Sequence, residues 1–151
     1  MAGSKFHKNR LNDRKSALSS KIILLRELKL IEDHYSFLIC KIVKGELICI
    51  GKIKPTEYSE EFEIKIVYDG ISNPKIFILN PFIEYNDDIH MYPEDNSLCL
   101  YHKSDLIWNF RKHNLYDTII PWTIEWFVFY ELYLFSGKWE HPFVPHKRLK
   151  E

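Results

Sequence analysis

Between Phe37 and Leu79 the chain offers four β-forming runs joined only by short connections, and this constrains the fold more than any other feature. Phe37 to Val43 and Glu46 to Ile53 flank Lys44-Gly45, where Gly45 is free to take positive φ, so the two runs read as a hairpin with a tight turn. A two-residue turn at that place sets Cys40 directly opposite Cys49, with both side chains on one sheet face. Glu61 to Tyr68 alternates, with Phe62, Ile64 and Ile66 on one face and Glu61, Glu63 and Lys65 on the other. Asp69-Gly70 opens the next turn, and Lys75 to Leu79 supplies a short apolar fourth strand. Connections this short cannot carry a crossover, so the four runs predict an antiparallel meander.

Helical patterning flanks the meander on both sides. From about Asp13 to Glu32, Leu18, Ile22, Leu25, Leu28 and Ile31 recur at three- and four-residue spacing. Arg14, Lys21, Arg26 and Lys29 fill the wet side. Residues 1–12 read as a flexible N-terminal arm, and its basic run (Lys5, His7, Lys8, Arg10) as solvated charge. A second helix is expected from about Asp117 to Phe135, with Asp117 or Thr118 as N-cap, Pro121 in the first turn and Gly137 as the stop. Ile119, Trp122, Trp126, Phe127, Tyr130 and Tyr133 cover so much of it that packing on more than one side is expected. The tail from Trp139 to Glu151, with Pro142 and Pro145, reads as irregular. The fold class is α+β, and residues 13–151 read as a single domain of adequate size for a core.

Charge and cysteine usage narrow the function. Lys and Arg balance Asp and Glu at 21 each, so a broad phosphate-binding surface is disfavoured and nucleic acid is not expected as a partner. No apolar stretch is long enough to span a bilayer and no signal peptide is evident, so no membrane association and a cytoplasmic location are expected. Three cysteines, an odd number, do not suggest a disulfide framework.

The segment from Asn80 to Ser97 has no clear period, is long for a loop, and leads into Leu98-Cys99-Leu100-Tyr101. Beyond it, Ser104-Asp105 can cap a short turn carrying Leu106, Ile107 and Trp108. Cys40 and Cys49 lie within strands, where a thiol acts as a small hydrophobe. Cys99 instead sits where a polar loop re-enters the apolar structure, a place that can be partly exposed and well oriented, as a nucleophilic thiol requires. His90 and His102 lie close to it in sequence. A papain-like pair lacks a third member and a matching scaffold. Cys99, His90, His102, His141 and His146 show no CxxC or HExxH spacing, so no metal is expected, and without a Gly-rich phosphate loop no nucleotide cofactor is expected. On the residues alone, Cys99 stands between a catalytic nucleophile and a structural thiol.

The order of elements resembles that of ubiquitin-conjugating enzymes: helix, four-strand meander, long loop, Cys, short turn, long helix. That family carries His-Pro-Asn, then after a short spacer a catalytic Cys followed by Leu, then a Trp. Here the run is His90-Met91-Tyr92-Pro93 through Leu98-Cys99-Leu100, followed by Trp108. More narrowly, the chain resembles the ubiquitin-conjugating-like proteins of bacterial type II CBASS antiphage operons. Those show His-x-Tyr-Pro and Leu-Cys-Leu-Tyr, then Trp-x-x-x-Trp, Tyr-Glu, Gly-x-Trp and a late His. Trp122 and Trp126, Tyr130-Glu131, Gly137-Lys138-Trp139 and His146 match. At this length the chain fits the stand-alone type, without a fused activating enzyme.

The resemblance implies a ubiquitin-conjugating-like (UBC) fold with C-terminal helices, and a transferase that holds an acyl group on Cys99 as a thioester. The implied partner is a cGAS-like nucleotidyltransferase joined through its C-terminal tail, or another ubiquitin-like protein. A non-catalytic adaptor of the same fold, or the conjugating enzyme of a different bacterial system, are the alternatives. His90 is expected to anchor the loop through backbone hydrogen bonds. Tyr92 and His102 are expected to orient or deprotonate the acceptor, and Trp108 to wedge the segment after Cys99. The family's Asn is missing, with Tyr92 nearly in its place; an oxyanion donor of that kind is worth about 3 kcal/mol in a serine protease.

Overall fold

The computed structural model describes residues 3–141, and side chains from Ser19 onward. Helix α1 spans Gly3–His34, and the strands follow as β1 (Leu38–Val43), β2 (Glu46–Ile53), β3 (Phe62–Tyr68) and β4 (Lys75–Asn80). Helix α2 spans Ile119–Ser136. The strands form one antiparallel sheet in the order β1-β2-β3-β4. The fold is therefore α+β with a flanking helix on each side of the meander in sequence, in agreement with a UBC-like architecture.

The first hairpin has the register set by its turn. Lys44 and Gly45 both take positive φ, 49° and 78°, the pair of angles a two-residue primed turn needs. Val43 then faces Glu46 and Cys40 faces Cys49. The two thiols are free and lie opposite each other on one sheet face, as expected for a structural pair. On β3, Phe62, Ile64, Ile66 and Tyr68 all point into the core, and with Leu47, Cys49 and Ile53 of β2 they make the sheet's buried face.

Helix α1 differs from the expected stripe. Ile22 and Leu25 are 59% and 49% exposed, whereas Leu24, Glu27 and Ile31 are buried. The buried row includes a carboxylate, which hides it from a reading of apolar residues alone. Glu27 Oε2 accepts the backbone N–H of Leu115 at 2.9 Å, so the helix holds down the segment before α2 through a polar contact. The helix also begins at Gly3 and not at the Asp13 inferred from the stripe. Lys5, Lys8, Arg10 and Leu11 in the intervening turns are good helix formers whether or not a core faces them.

Helix α2 packs Ile119, Ile120, Thr123, Trp126 and Phe127 inward. Phe62 stacks on Phe127 at 4.5 Å between ring centroids, tying β3 to this helix. Gly137 ends the helix in the left-handed region at φ 73°, and its N–H donates to Tyr133 O at 2.8 Å. Two expectations need correction. Thr118 precedes the helix but makes no side-chain cap; its hydroxyl donates to Asn114 O instead. The last turn is not covered all round, since Leu132 and Leu134 are exposed and Phe135 is 97% exposed. Among the described residues no helix is long and apolar enough to cross a membrane.

Candidate active site

The long loop is folded back on itself so that Cys99 is held from both sides. Met91 bridges to Leu98, Tyr92 N–H donates to Ser97 O at 2.8 Å, and Asn96 N–H donates to Tyr92 O at 3.0 Å. Asn96 takes φ 59°, a conformation Asn tolerates better than most residues. Asp95 Oδ1 accepts both the N–H and the hydroxyl of Ser97, at 3.0 and 2.6 Å. Leu98 N–H then donates to Ile76 O of β4 at 2.9 Å, and Cys99 N–H to His90 O at 3.0 Å. The Cys99 backbone is thus fixed by its own loop, one residue away from the sheet edge.

His90 anchors this arrangement through its carbonyl, which also accepts Trp126 Nε1 from α2 at 2.8 Å. Its ring lies 5.1 Å from that of Trp139 and 6.3 Å from that of His141. Trp108 is buried after the cysteine, donates through Nε1 to Tyr68 OH at 3.2 Å, and meets the Tyr68 ring edge-on. The short turn there closes on His102, whose carbonyl accepts the N–H groups of Asp105 and Leu106. Ser104 does not cap it. His102 Nδ1 lies 2.7 Å from Ser104 Oγ and accepts Ser104 N–H at 3.2 Å, within the same turn.

Cys99 is 3% exposed, less than the partial exposure expected from its position at the loop's end. Trp122, Trp126 and Trp139 line the same cleft as the thiol and enclose it. Sγ donates to Tyr101 O at 3.4 Å, and the Tyr92 hydroxyl beside it favours the thiolate. Burial pushes the thiol above its ordinary value, and the Tyr92 donor works against that shift. The Tyr92 phenol is itself raised, first by burial and then by the thiol beside it, so it remains a donor at neutral pH. Tyr101 is pushed up to about 12, chiefly by burial.

Of the residues singled out in the sequence, the structure brings Tyr92 and Cys99 into contact and sets His90 against the same thiol's surroundings. Asn96 is committed elsewhere, its Oδ1 accepting Tyr85 N–H at 3.3 Å. Two openings lie along this segment, and Cys99 itself lines the second. On one side a groove of about 310 Å³ runs between β4 and the Tyr92–Tyr101 segment, walled by Pro74, Ile76, Tyr92, Leu98, Leu100 and Lys103. On the other, Cys99 and His90 share a small cleft with Trp122, Trp126, Trp139 and His141.

His141 is the residue the sequence reading underrated. It was visible as a histidine four residues past the Gly137 stop, but only the chain reversal after α2 shows where it goes. Its ring meets Phe129 at 4.6 Å, and Nε2 lies 3.6 Å from Glu125 Oε1. His146 lies outside the described residues. Among the described residues no group of three His, Cys, Asp or Glu side chains is placed to hold a metal ion.

Against known proteins, the sequence pattern of the family described as Type II CBASS E2 protein matches residues 27–147. That span contains the whole sheet, the loop, Cys99 and α2. No curated protein matches the chain.

Proposed function

The chain belongs to the Type II CBASS E2 protein family, an E2-like role in CBASS defence follows, and from that premise we propose that Cys99 is the nucleophile that carries the acyl group. The acyl donor is the C-terminus of a cGAS-like nucleotidyltransferase of the same operon, and the setting is the cytoplasm, where thiols stay reduced. In the proposed reaction, Cys99 sulfur attacks the activated C-terminal carbonyl, and the donor's leaving group departs as the thioester forms. An amine then attacks the thioester carbonyl, and the Cys99 thiolate leaves. The groove beside β4, whose walls include Tyr92 and the two neighbours of Cys99, Leu98 and Leu100, is the proposed seat of an extended tail.

The observation that carries this reading is the Tyr92 hydroxyl beside Cys99, which lowers the thiol against the effect of burial. A hydroxyl that favours the thiolate is close to where the carbonyl oxygen gains charge during attack. It therefore supplies the donor that the family's Asn supplies elsewhere. Tyr92 in this account stabilises the oxyanion, and His102, engaged with Ser104, shapes the turn beyond the cysteine.

One observation favours a second reading, an adaptor without chemistry: Cys99 is 3% exposed and its thiol is raised by burial. Time-resolved labelling of the native protein with iodoacetamide, followed by peptide mapping, separates the two. A carrier thiol is alkylated in the folded protein well before Cys49. If Cys99 reacts only on unfolding, together with Cys49, the adaptor reading stands and the carrier reading falls.

A further inference from the structure

The Cys99 thiol must lose a proton when it attacks, and the groups so far described do not take it. Tyr92 lies beside the thiol and is raised, so it holds its own proton. Tyr101 offers a carbonyl, which is no base at neutral pH. His102 has its Nδ1 turned to Ser104. The remaining wall of the cysteine's surroundings is the small cleft with His90 and His141.

The two imidazoles in that wall are not equivalent. His141 faces a carboxylate: Glu125 Oε1, from α2, lies 3.6 Å from Nε2. A carboxylate at Nε2 holds the proton on that nitrogen and leaves Nδ1 as the basic one. The His141 side chain is 8% exposed, walled by Phe129, whereas Glu125 is 41% exposed. His90 stands between Trp139 and His141, with its carbonyl spent on Cys99 and Trp126.

We propose that His141, oriented by Glu125, is the base that accepts the Cys99 thiol proton. This rests on the reading of Cys99 as a nucleophile. The S–H bond breaks as the S–C bond forms at the donor carbonyl, and the proton passes to His141 Nδ1. When the carbonyl reforms, the leaving group departs with its electron pair and takes that proton back. Burial holds His141 below the ordinary imidazole value, with Glu125 opposing the shift, so it is neutral and able to accept at pH 7. Among the described residues, the other titratable groups facing it are His90 and Cys99. With the thiol raised and the imidazole lowered, a resting thiolate–imidazolium pair is disfavoured, and the transfer belongs to the attack itself.

The test uses the full chain and a small thioester probe, N-acetylglycine mercaptoethanesulfonate, which acylates a thiol without an activating enzyme. The rate of acylation at Cys99 is read by intact mass and peptide mapping from pH 5 to 10 (an assay range). The native protein is expected to show a rising limb whose midpoint lies below the free imidazole value of about 6.5. His141→Gln should lose that limb, run about 100-fold slower at pH 7, and rise only as the thiol itself ionises. Glu125→Gln, at a half-exposed position that does not threaten folding, should keep the limb and move it to lower pH, because the carboxylate that raised the imidazole is gone. A merely structural role would scale the rate at every pH and leave the limb in place. An unchanged profile in His141→Gln, or loss of the limb in His90→Gln and not in His141→Gln, overturns the inference and leaves the carrier reading intact. Failure of the native Cys99 to be acylated at any pH overturns both.

Discussion

The phenol of Tyr92 reaches Cys99 Sγ from nearly the sequence position at which ubiquitin-conjugating enzymes carry an Asn. Both groups are hydrogen-bond donors, but they impose different demands. A phenol is larger and brings an apolar ring, and the loop meets that demand by closing Tyr92 N–H on Ser97 O and Tyr92 O on Asn96 N–H. Tyr92→Phe keeps the ring and removes the donor. Acylation of Cys99 is expected to slow by about 100-fold, the scale of a lost oxyanion donor, with little change in melting temperature. Stopped-flow or quenched acylation with a thioester probe measures it, and an unchanged rate would assign the oxyanion to a backbone N–H.

Glu27 is the other residue whose chemistry is set by its place. It is fully buried, and burial raises its carboxyl above the ordinary value against the lowering effects of the Leu115 N–H and Arg26. A group raised on folding contributes stability that is present below its unfolded value, near 4.5, and lost as pH rises through the folded value. Glu27→Gln retains an acceptor for Leu115 and carries no charge. It is expected to match or exceed the native protein at pH 7 and to flatten the stability profile above pH 4.5. Glu27→Ala leaves the Leu115 N–H without its partner and is expected to cost about 1–3 kcal/mol. Denaturant melts at several pH values check both.

At the scale of elements, the site depends on α2 more than on the sheet. Trp126 Nε1 and Cys99 N–H converge on one carbonyl, that of His90, so the helix, the loop and the cysteine share a single acceptor. Trp126→Phe deletes one arm of this junction while keeping an aromatic ring in the core. A loss of about 1–3 kcal/mol is expected, together with slower Cys99 acylation, because the His90 segment is no longer tied to α2. If stability falls and acylation does not, the helix supports the loop without positioning the thiol.

The elements also show what a sequence can and cannot disclose. The first hairpin was legible to the residue, since Lys44-Gly45 sets a turn length, the turn length sets a register, and Cys40 falls opposite Cys49. The alternation of β3 was equally plain, with Phe62, Ile64 and Ile66 buried as read. The buried face of α1 was misread because Glu27 lies in it, and a count of apolar residues drifts toward Ile22 and Leu25 instead. The placement of Cys99 after the loop was legible, but not its enclosure beside the tryptophans of α2 and Trp139, which only the tertiary fold brings there. His141 could not be placed from sequence, since its position depends on the return of the chain along α2 and on contacts with Glu125 and Phe129.

For the whole molecule, the folded-back loop lines both a groove beside β4 and a histidine-lined cleft beside α2, with Cys99 on the cleft side. In the proposed account the groove receives the acyl donor and the cleft receives the proton. The family match places the chain among Type II CBASS E2 proteins, and the thioester on Cys99 is the claim on which the account stands. The measurement that tests it most directly is intact-mass analysis of the protein purified together with the proposed partner, a cGAS-like nucleotidyltransferase. The account predicts an adduct on the native chain that disappears with a small thiol reductant and is absent from Cys99→Ala. An adduct of the same mass retained by Cys99→Ala would contradict it.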